Sequence, residues 1–370
     1  MVKKLALSVK QTSLFTVRFL QTFTLNSPRA MLFSPSTARL LAAVLLPLLF
    51  LNCRQEPKPA TSTLEGLEKT TTVHHETTTT PAEKQTTPPP ADAVRFVAYN
   101  VKNWLTMKRR NRDGQTTERD KPDEEKAAVI ATLASADPHL VGLCEIGTKE
   151  NLAEIQGMLK AAGHDLPHSH WMTGYDNTRR LGFLSKFPIA STNSQSEMGW
   201  DMDGRFWLIR RGILHVTLDL PCGRVHFMGA HFKSKREVTY ADQAIMRLNE
   251  ARLMREHALK TLADNPGDKV VLYGDLNETK GNPPIKTLVG RRRSKDQLED
   301  LLLTDRNDEV WTYFWNWQHQ YSRFDYILVS KNLRKFVSDD HSRILDPPNY
   351  YDASDHRALL LTLLPEAKTE

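Results

Sequence analysis

From residue 94 onward, short apolar runs alternate with amphipathic stretches, and each run breaks off at a polar or turn-forming residue. Val94–Tyr99 is apolar and ends at Asn100, which predicts a buried strand. Asp123–Ala136 predicts a helix: Asp123 can cap it, Ala127, Ile130, Leu133 and Ala134 line one face, and Pro138 stops it. His139–Ile146 reads as a strand, and Leu152–Leu159 as a helix closed near Gly163. Strand patterns then dominate, over Gly182–Ser185, Gly212–Asp219 and Arg224–His231. In the middle one, Ile213, His215 and Thr217 alternate with Leu214, Val216 and Leu218. A long helix is predicted over Ala241–Ala263, with Ala244, Leu248, Ala251, Met254, Ala258 and Leu262 as its apolar stripe. Asp268–Gly274, Trp311–Trp315, Phe324–Val329 and Arg357–Leu363 complete the strands, and no internal repeat is visible. Runs of strands between two helix blocks predict an α/β domain of two packed sheets with helices outside.

Residues 1–92 follow another pattern. Leu40–Leu51, LLAAVLLPLLFL, carries no charge over twelve residues, with Arg39 before it. It is too short to span a bilayer comfortably and suits the apolar region of a secretory signal. Cys53 follows in FLNC, and the segment resembles the lipobox of a bacterial lipoprotein, although Phe50 and Asn52 stand where leucine and a small residue are usual. The resemblance implies a cell-envelope protein anchored through Cys53; a plain secretory signal or an uncleaved anchor is the alternative. Met31 offers a later start, which would leave residues 1–30 as an extended basic leader or as sequence upstream of the true start. Residues 54–92 hold Thr70–Thr72, Thr77–Thr80 and Pro88–Pro90 and almost no large apolar side chains. They cannot bury enough surface to offset their ordering entropy, so a disordered, extended tether is expected. The expected organisation is a leader over 1–53, a tether over 54–92 and a globular domain over 93–366.

Composition is ordinary for a soluble enzyme, with 40% hydrophobic and 25% charged residues. That excludes collagen, coiled coil, a polytopic membrane protein and a wholly disordered chain. Cys53, Cys144 and Cys222 are the only cysteines, too few for a disulfide framework, and no CxxC pair suggests a zinc finger.

Candidate chemistry sits where strands run out. The ends read Tyr99-Asn100, Cys144-Glu145, Ala230-His231, Tyr273-Gly274-Asp275-Leu276-Asn277 and Phe324-Asp325-Tyr326, and the last strand is preceded by Ser354-Asp355-His356. One polar strand end is usually a cap or turn. Six carrying carboxylates, amides and imidazoles suggest a shared rim, because strand ends of an open sheet converge.

AHFKSK (Ala230–Lys235), GDLNE (Gly274–Glu278), SRFDYILVS (Ser322–Ser330) and SDH (Ser354–His356), in this order, resemble the endonuclease/exonuclease/phosphatase superfamily with its deoxyribonuclease I-like fold. The resemblance covers about Val94–Leu364. It implies an α/β (α+β) four-layer sandwich of two mixed sheets flanked by helices. It also implies roles: Glu145 as the carboxylate that binds a divalent metal, Asn100 as the supporting amide and Asp355 as a metal-site or site-shaping aspartate. Asp275 orients or deprotonates the attacking water, and Asn277 holds phosphate oxygens. His356 contacts the scissile phosphate with Asp325 as its partner, and His231 is a candidate acid for the leaving oxygen. Some members carry an acid two positions after the first asparagine; here it is Lys102, which argues against close kinship with base-repair endonucleases. Phosphodiester hydrolysis needs in-line attack and charge neutralisation, and hard oxygen ligands suit Mg²⁺ or Mn²⁺, with Ca²⁺ also compatible.

The expectation is a monomeric, metal-dependent phosphodiesterase acting on DNA or RNA. A sphingomyelinase-like lipid or inositol phosphate hydrolase is the alternative, and a non-catalytic phosphate-binding module the third reading. Arg179, and Lys233 with Lys235 and Arg236, are candidate phosphate ligands. The aromatic run Trp311, Tyr313, Phe314, Trp315 and Trp317 could stack bases, but alternating aromatics are read first as sheet core. The net charge of +6 invites a polyanionic partner. Residues 1–30 hold five basic and no acidic residues (+5), and residues 31–92 hold five and six (−1), so residues 93–370 carry only +2. Phosphate recognition must then rest on the site and on local clusters.

Overall fold

The computed structural model describes residues 88–368, except Arg112. The leader, Cys53 and nearly all of the expected tether lie outside the described residues. No helix among the described residues is long and apolar enough to cross a membrane.

Two six-stranded mixed sheets form the frame. In spatial order the first runs Arg343–Ile344, Leu359–Leu363, Val94–Trp104, Leu140–Ile146, Arg180–Ser185, His168–Met172. The second runs Leu298–Asp300, Asp325–Ser330, Lys269–Asp275, Gly223–His231, Ile213–Leu220, Ile189–Thr192. Each sheet has one central parallel pair, Val94–Trp104 with Leu140–Ile146 and Gly223–His231 with Lys269–Asp275. The other pairings within the two sheets are antiparallel.

Strand alternation sorts the core into three layers. Phe96, Ala98, Phe183, Phe227, Val271, Tyr273, Ile327 and Leu361 face the space between the sheets. Val97, Tyr99, Val141 and Leu143 point outward against Val129, Ile130 and Leu133 of helix Asp123–Ala134 and Leu152 and Ile155 of helix Lys149–Ala161. Met228, Val270, Leu272 and Leu328 point the other way, against Ala251, Met254 and Ala258 of helix Gln243–Asp264 and Ile285 and Leu288 of helix Pro283–Val289. The result is the expected four-layer order, helix, sheet, sheet, helix. The Tyr273 ring fills the centre only because Gly142 and Gly229 stand opposite; a Cβ at either would come within 2.3 or 2.5 Å of it.

The main elements fall within a few residues of the predicted ranges. The helix predicted over Leu152–Leu159 starts earlier, at Lys149, because Thr148 and Asn151 form a reciprocal cap. Three two-stranded ribbons lie outside both sheets: Met107–Arg110 with Thr116–Arg119, Gly199–Met202 with Arg205–Leu208, and Tyr313–Trp315 with Gln320–Ser322. The third overturns the reading of the aromatic run as core. Trp317 is 86% and Trp315 43% exposed, while Phe314 stacks on Tyr321 at 4.6 Å, itself exposed.

Candidate active site

The site is the polar cap of the core between the sheets. In the second sheet, strand register sets His231 opposite Asp275 and Asp275 opposite Asp325, a row of three across adjacent strands. Alternation aims all three inward, because Phe227, Tyr273 and Ile327 are inter-sheet residues and His231, Asp275 and Asp325 lie four, two and two positions from them on the same strands. In the first sheet Phe96 and Ala98 lead in the same way to Asn100, which pairs with Cys144. The parallel central pairs bring these ends to one edge.

The chain turns sharply here. Glu145, at an irregularity in both of its strand pairings, has φ 66°, and Lys102, Asn103 and Asn277 have φ 49°, 57° and 49°. Left-handed backbone at non-glycine residues is held only where the surroundings over-determine it, and it clusters at functional sites. Gly274, at φ 130°, lies against the neighbouring strand so closely that a Cβ would meet the Ala230 carbonyl oxygen at 2.0 Å. Only glycine serves before Asp275.

Asp275 is the hub. Its Oδ2 accepts from Asn100 Nδ2 at 3.0 Å and lies 3.3 Å from His231 Nε2 and 3.7 Å from His356 Nε2. Its Oδ1 accepts the Asn277 backbone N–H at 3.0 Å. Burial pushes Asp275 up to about 7; His356 opposes this, while Asp325 and Glu145 add to it. Asp325 Oδ2 accepts from His356 Nδ1 at 2.8 Å, and the Asp325 backbone N–H donates to Thr312 Oγ1. Burial alone would lower His356, but Asp325, Asp275 and Asp355 outweigh it and hold the imidazole well above its ordinary value. This favours the imidazolium, whose Nε2–H has Asp275 Oδ2 only at 3.7 Å. Ser354 fixes its backbone, accepting the His356 N–H and donating to the Asn100 carbonyl.

His231 is different. Burial, with Arg211, His356 and Arg179 nearby, holds it well below its ordinary value. This favours the neutral ring, which can donate one N–H toward Asp275, and its Nδ1 is buried without a partner.

The residues expected at the metal divide. Glu145 Oε2 accepts the Asn103 backbone N–H, but Oε1 makes no hydrogen bond and has only Arg179 Nε at 3.7 Å and His231 Nε2 at 3.9 Å near it. Asn100 spends its amide inside the protein, on Asp275 and on the Lys102 N–H. Asp355 is half-buried beside Ser354 and acts on His356 through its charge. Asp275, Asp325 and His356 present donor atoms within 4.8 Å of one another, the only such group of three or more among the described residues, and could hold a divalent cation. Donor chemistry favours Glu145 instead. His356 already shares its Nδ1 proton with Asp325, whereas Glu145 Oε1 is a hard oxygen free of hydrogen bonds, and Mg²⁺ needs few protein ligands because it keeps its waters.

Arg179 stands beside Glu145, on a loop that Asp176 organises by accepting the backbone N–H groups of Thr178 and Arg179 while pairing with Arg211 at 3.1 Å. Lys233 does not reach the site. It is buried, and its Nζ donates to Ser234 and the Arg236 carbonyl, while Lys235 pairs with Glu278. Asn277 donates its Nδ2 to the Phe232 carbonyl. Tyr313, read from the sequence only as one of the aromatics, packs its ring on His356 at 4.8 Å and closes one wall. Its sequence signal was proximity to SRFDYILVS.

Residues 113–356 match the model of the endonuclease/exonuclease/phosphatase family, and the chain belongs to that family. A comparison with curated protein sequences finds no match. The fold is similar to that of truncated TDP2 from Caenorhabditis elegans, with TM-score 0.52 and 18% identity over 74% of this chain and 97% of that one. It is also similar to the human nocturnin catalytic domain, with TM-score 0.50 and 15% identity over 73% and 94%. A family protein from Bacteroides vulgatus gives TM-score 0.50 and 16% identity over 75% and 99%. At these identities the likeness is one of fold.

Proposed function

We propose that this chain is a metal-dependent phosphodiesterase that cuts nucleic acid. The observation that carries the reading is the meeting of Asn100, His231 and His356 on one raised carboxylate, Asp275, with Asp325 behind His356. A carboxylate lifted to about 7 by burial can take a proton from water at neutral pH, as a general base must. Asn100 and His231 orient it. The His356 imidazolium, held charged by Asp325, supplies an N–H to the phosphoryl group and a proton to the departing oxygen. Arg179 adds a fixed positive charge at the opposite wall. A divalent ion held by Glu145 would polarise the phosphoryl oxygens and neutralise their charge.

Nucleic acid is favoured over a lipid headgroup by the exposed aromatic ribbon beside His356, since bases stack on such rings. A location at the cell envelope is part of this reading, supported by the apolar segment Leu40–Leu51 and Cys53 in the sequence. The test is incubation of the full chain with plasmid DNA, RNA and sphingomyelin, with Mg²⁺ and with EDTA. Cleavage of DNA or RNA that needs the metal supports the proposal; hydrolysis of sphingomyelin alone would replace it with the lipid reading.

A further inference from the structure

The ribbon Met107–Arg110 with Thr116–Arg119 belongs to neither sheet and leaves the fold at the end of the strand that carries Asn100. Its root is tied to the site: Arg109 donates to the Asn103 carbonyl at 2.6 Å, and the Asn103 N–H donates to Glu145. Over residues 107–119 the sequence holds five basic residues (Lys108, Arg109, Arg110, Arg112, Arg119) against Asp113 and Glu118, a net +3. Residues 93–370 as a whole carry +2, so the rest of the domain nets −1; Arg291–Arg293 with Lys295 is another exposed basic run, and this ribbon is set apart from it by its tie to Glu145 through Asn103. Lys108, Arg110 and Arg119 are exposed, and none of the three is within ion-pair distance of an acid among the described residues. Lys108 and Arg110 share one face of the ribbon, with Glu118 opposite Lys108, and Arg119 lies on the other face with Arg109, so an arriving anion meets basic side chains on both faces.

We propose that this ribbon is an arm that binds the phosphate backbone of a nucleic-acid strand next to the scissile bond. The inference rests on the nucleic-acid reading of the site and adds a place where the polymer, rather than the single reacting phosphate, is held. The tip decides the occupant. Residues 111–117, Asn-Arg-Asp-Gly-Gln-Thr-Thr, contain no aliphatic or aromatic side chain. A surface that lies on a membrane pairs its basic residues with apolar ones that enter the lipid, and this tip has none to insert. Phosphates spaced along a strand need only charge and reach.

The test is a full-chain variant with Lys108→Gln, Arg110→Gln and Arg119→Gln, leaving Arg109 at the root. Binding of a fluorescein-labelled single-stranded 30-mer is read by anisotropy as salt is varied, in Mg²⁺-free buffer. If the three side chains each meet a phosphate, affinity falls at least about tenfold at low salt, and the slope of log K against log salt flattens by about 2. Turnover of bis-p-nitrophenyl phosphate, too small to reach the arm, stays as in the unaltered chain. Unchanged 30-mer affinity and salt slope would overturn the proposal. Equal loss of small-substrate turnover would also overturn it, by showing that the ribbon merely supports Glu145. Loss of binding to phosphatidylglycerol vesicles with 30-mer affinity intact would assign the arm to lipid instead. If the unaltered chain cuts no substrate, the reading of the site fails, but the anisotropy still answers for the arm.

Discussion

Asp325→Asn is the sharpest perturbation of the site. It keeps the shape and removes the charge that holds His356 protonated. Both side chains are nearly buried, at 7% and 6% exposure, and 2.8 Å apart. Breaking such a pair from one side costs about 3–5 kcal/mol, because the remaining charge is left uncompensated. The cheapest response is for His356 to lose its proton, since burial already favours the neutral ring. At about 1.4 kcal/mol per tenfold, the proton affinity of His356 then falls roughly a hundred- to a thousandfold, about two to three pH units. The assay is cleavage of a quenched fluorescent oligonucleotide across pH 5 to 9. The alkaline limb of kcat should move to lower pH by about two to three units, so the loss grows steeply from pH 5.5 toward pH 9. Stability moves in a consistent sense. In the parent chain His356 is raised, so its contribution is complete below about 6.5 and fades only as pH passes the raised value; the variant lacks it throughout. A loss of activity by the same factor at every pH would refute the charge argument and leave Asp325 as a positioning residue alone.

Asp275→Asn should abolish turnover yet stabilise the fold above pH 7 by a measurable rise in Tm. A buried carboxylate raised to about 7 retains a proton that the unfolded chain has lost above about 3.8, so its ionisation costs stability as pH rises through that window. Far from the site, His257, His215, His226 and Asp268 form a buried hydrogen-bonded row with links of 2.9, 3.0 and 2.9 Å. Burial holds His215 at about 3 and lowers His257, so stability should fall as pH drops below about 6.5; His215→Gln should flatten that slope in urea titrations. Trp317→Ala should leave Tm unchanged, since the ring is exposed. It should raise KM for an oligonucleotide by about five- to a hundredfold if a base stacks there, and a wholly unaltered KM would exclude stacking. Gly274→Ala should fail to accumulate as soluble protein, because strain at φ 130° and collision with the Ala230 carbonyl leave no conformation open.

Much of this was legible in the chain. The two-sheet frame followed from apolar runs and helical stripes. The site followed from polar strand ends, and the period of two carried further than its first use: Phe96, Ala98, Asn100 and Val271, Tyr273, Asp275 each run apolar positions of one face straight into a site residue. What escaped had physical causes. The left-handed backbone at Glu145 is imposed by strand irregularity, which composition does not signal. Lys233 sits among basic residues yet turns inward, because buried loop carbonyls need a donor more than solvent does. The aromatic ribbon looked like core because alternation reports a strand and not whether a second layer covers it. The ribbon Met107–Arg119 was missed because no apolar run marks it; its signal was charge per segment.

The central claim is hydrolysis of nucleic-acid phosphodiesters at the Asp275–His356 centre. It is tested by cleavage of single-stranded DNA and RNA by the full chain in Mg²⁺, beside Asp275→Ala, His356→Ala and EDTA controls. The parent chain is expected to cut, each variant to lose at least about a hundredfold, and chelator to abolish cutting. Cutting that persists at the parental rate in both variants, or no cutting of either polymer with Mg²⁺ or Mn²⁺, would contradict it.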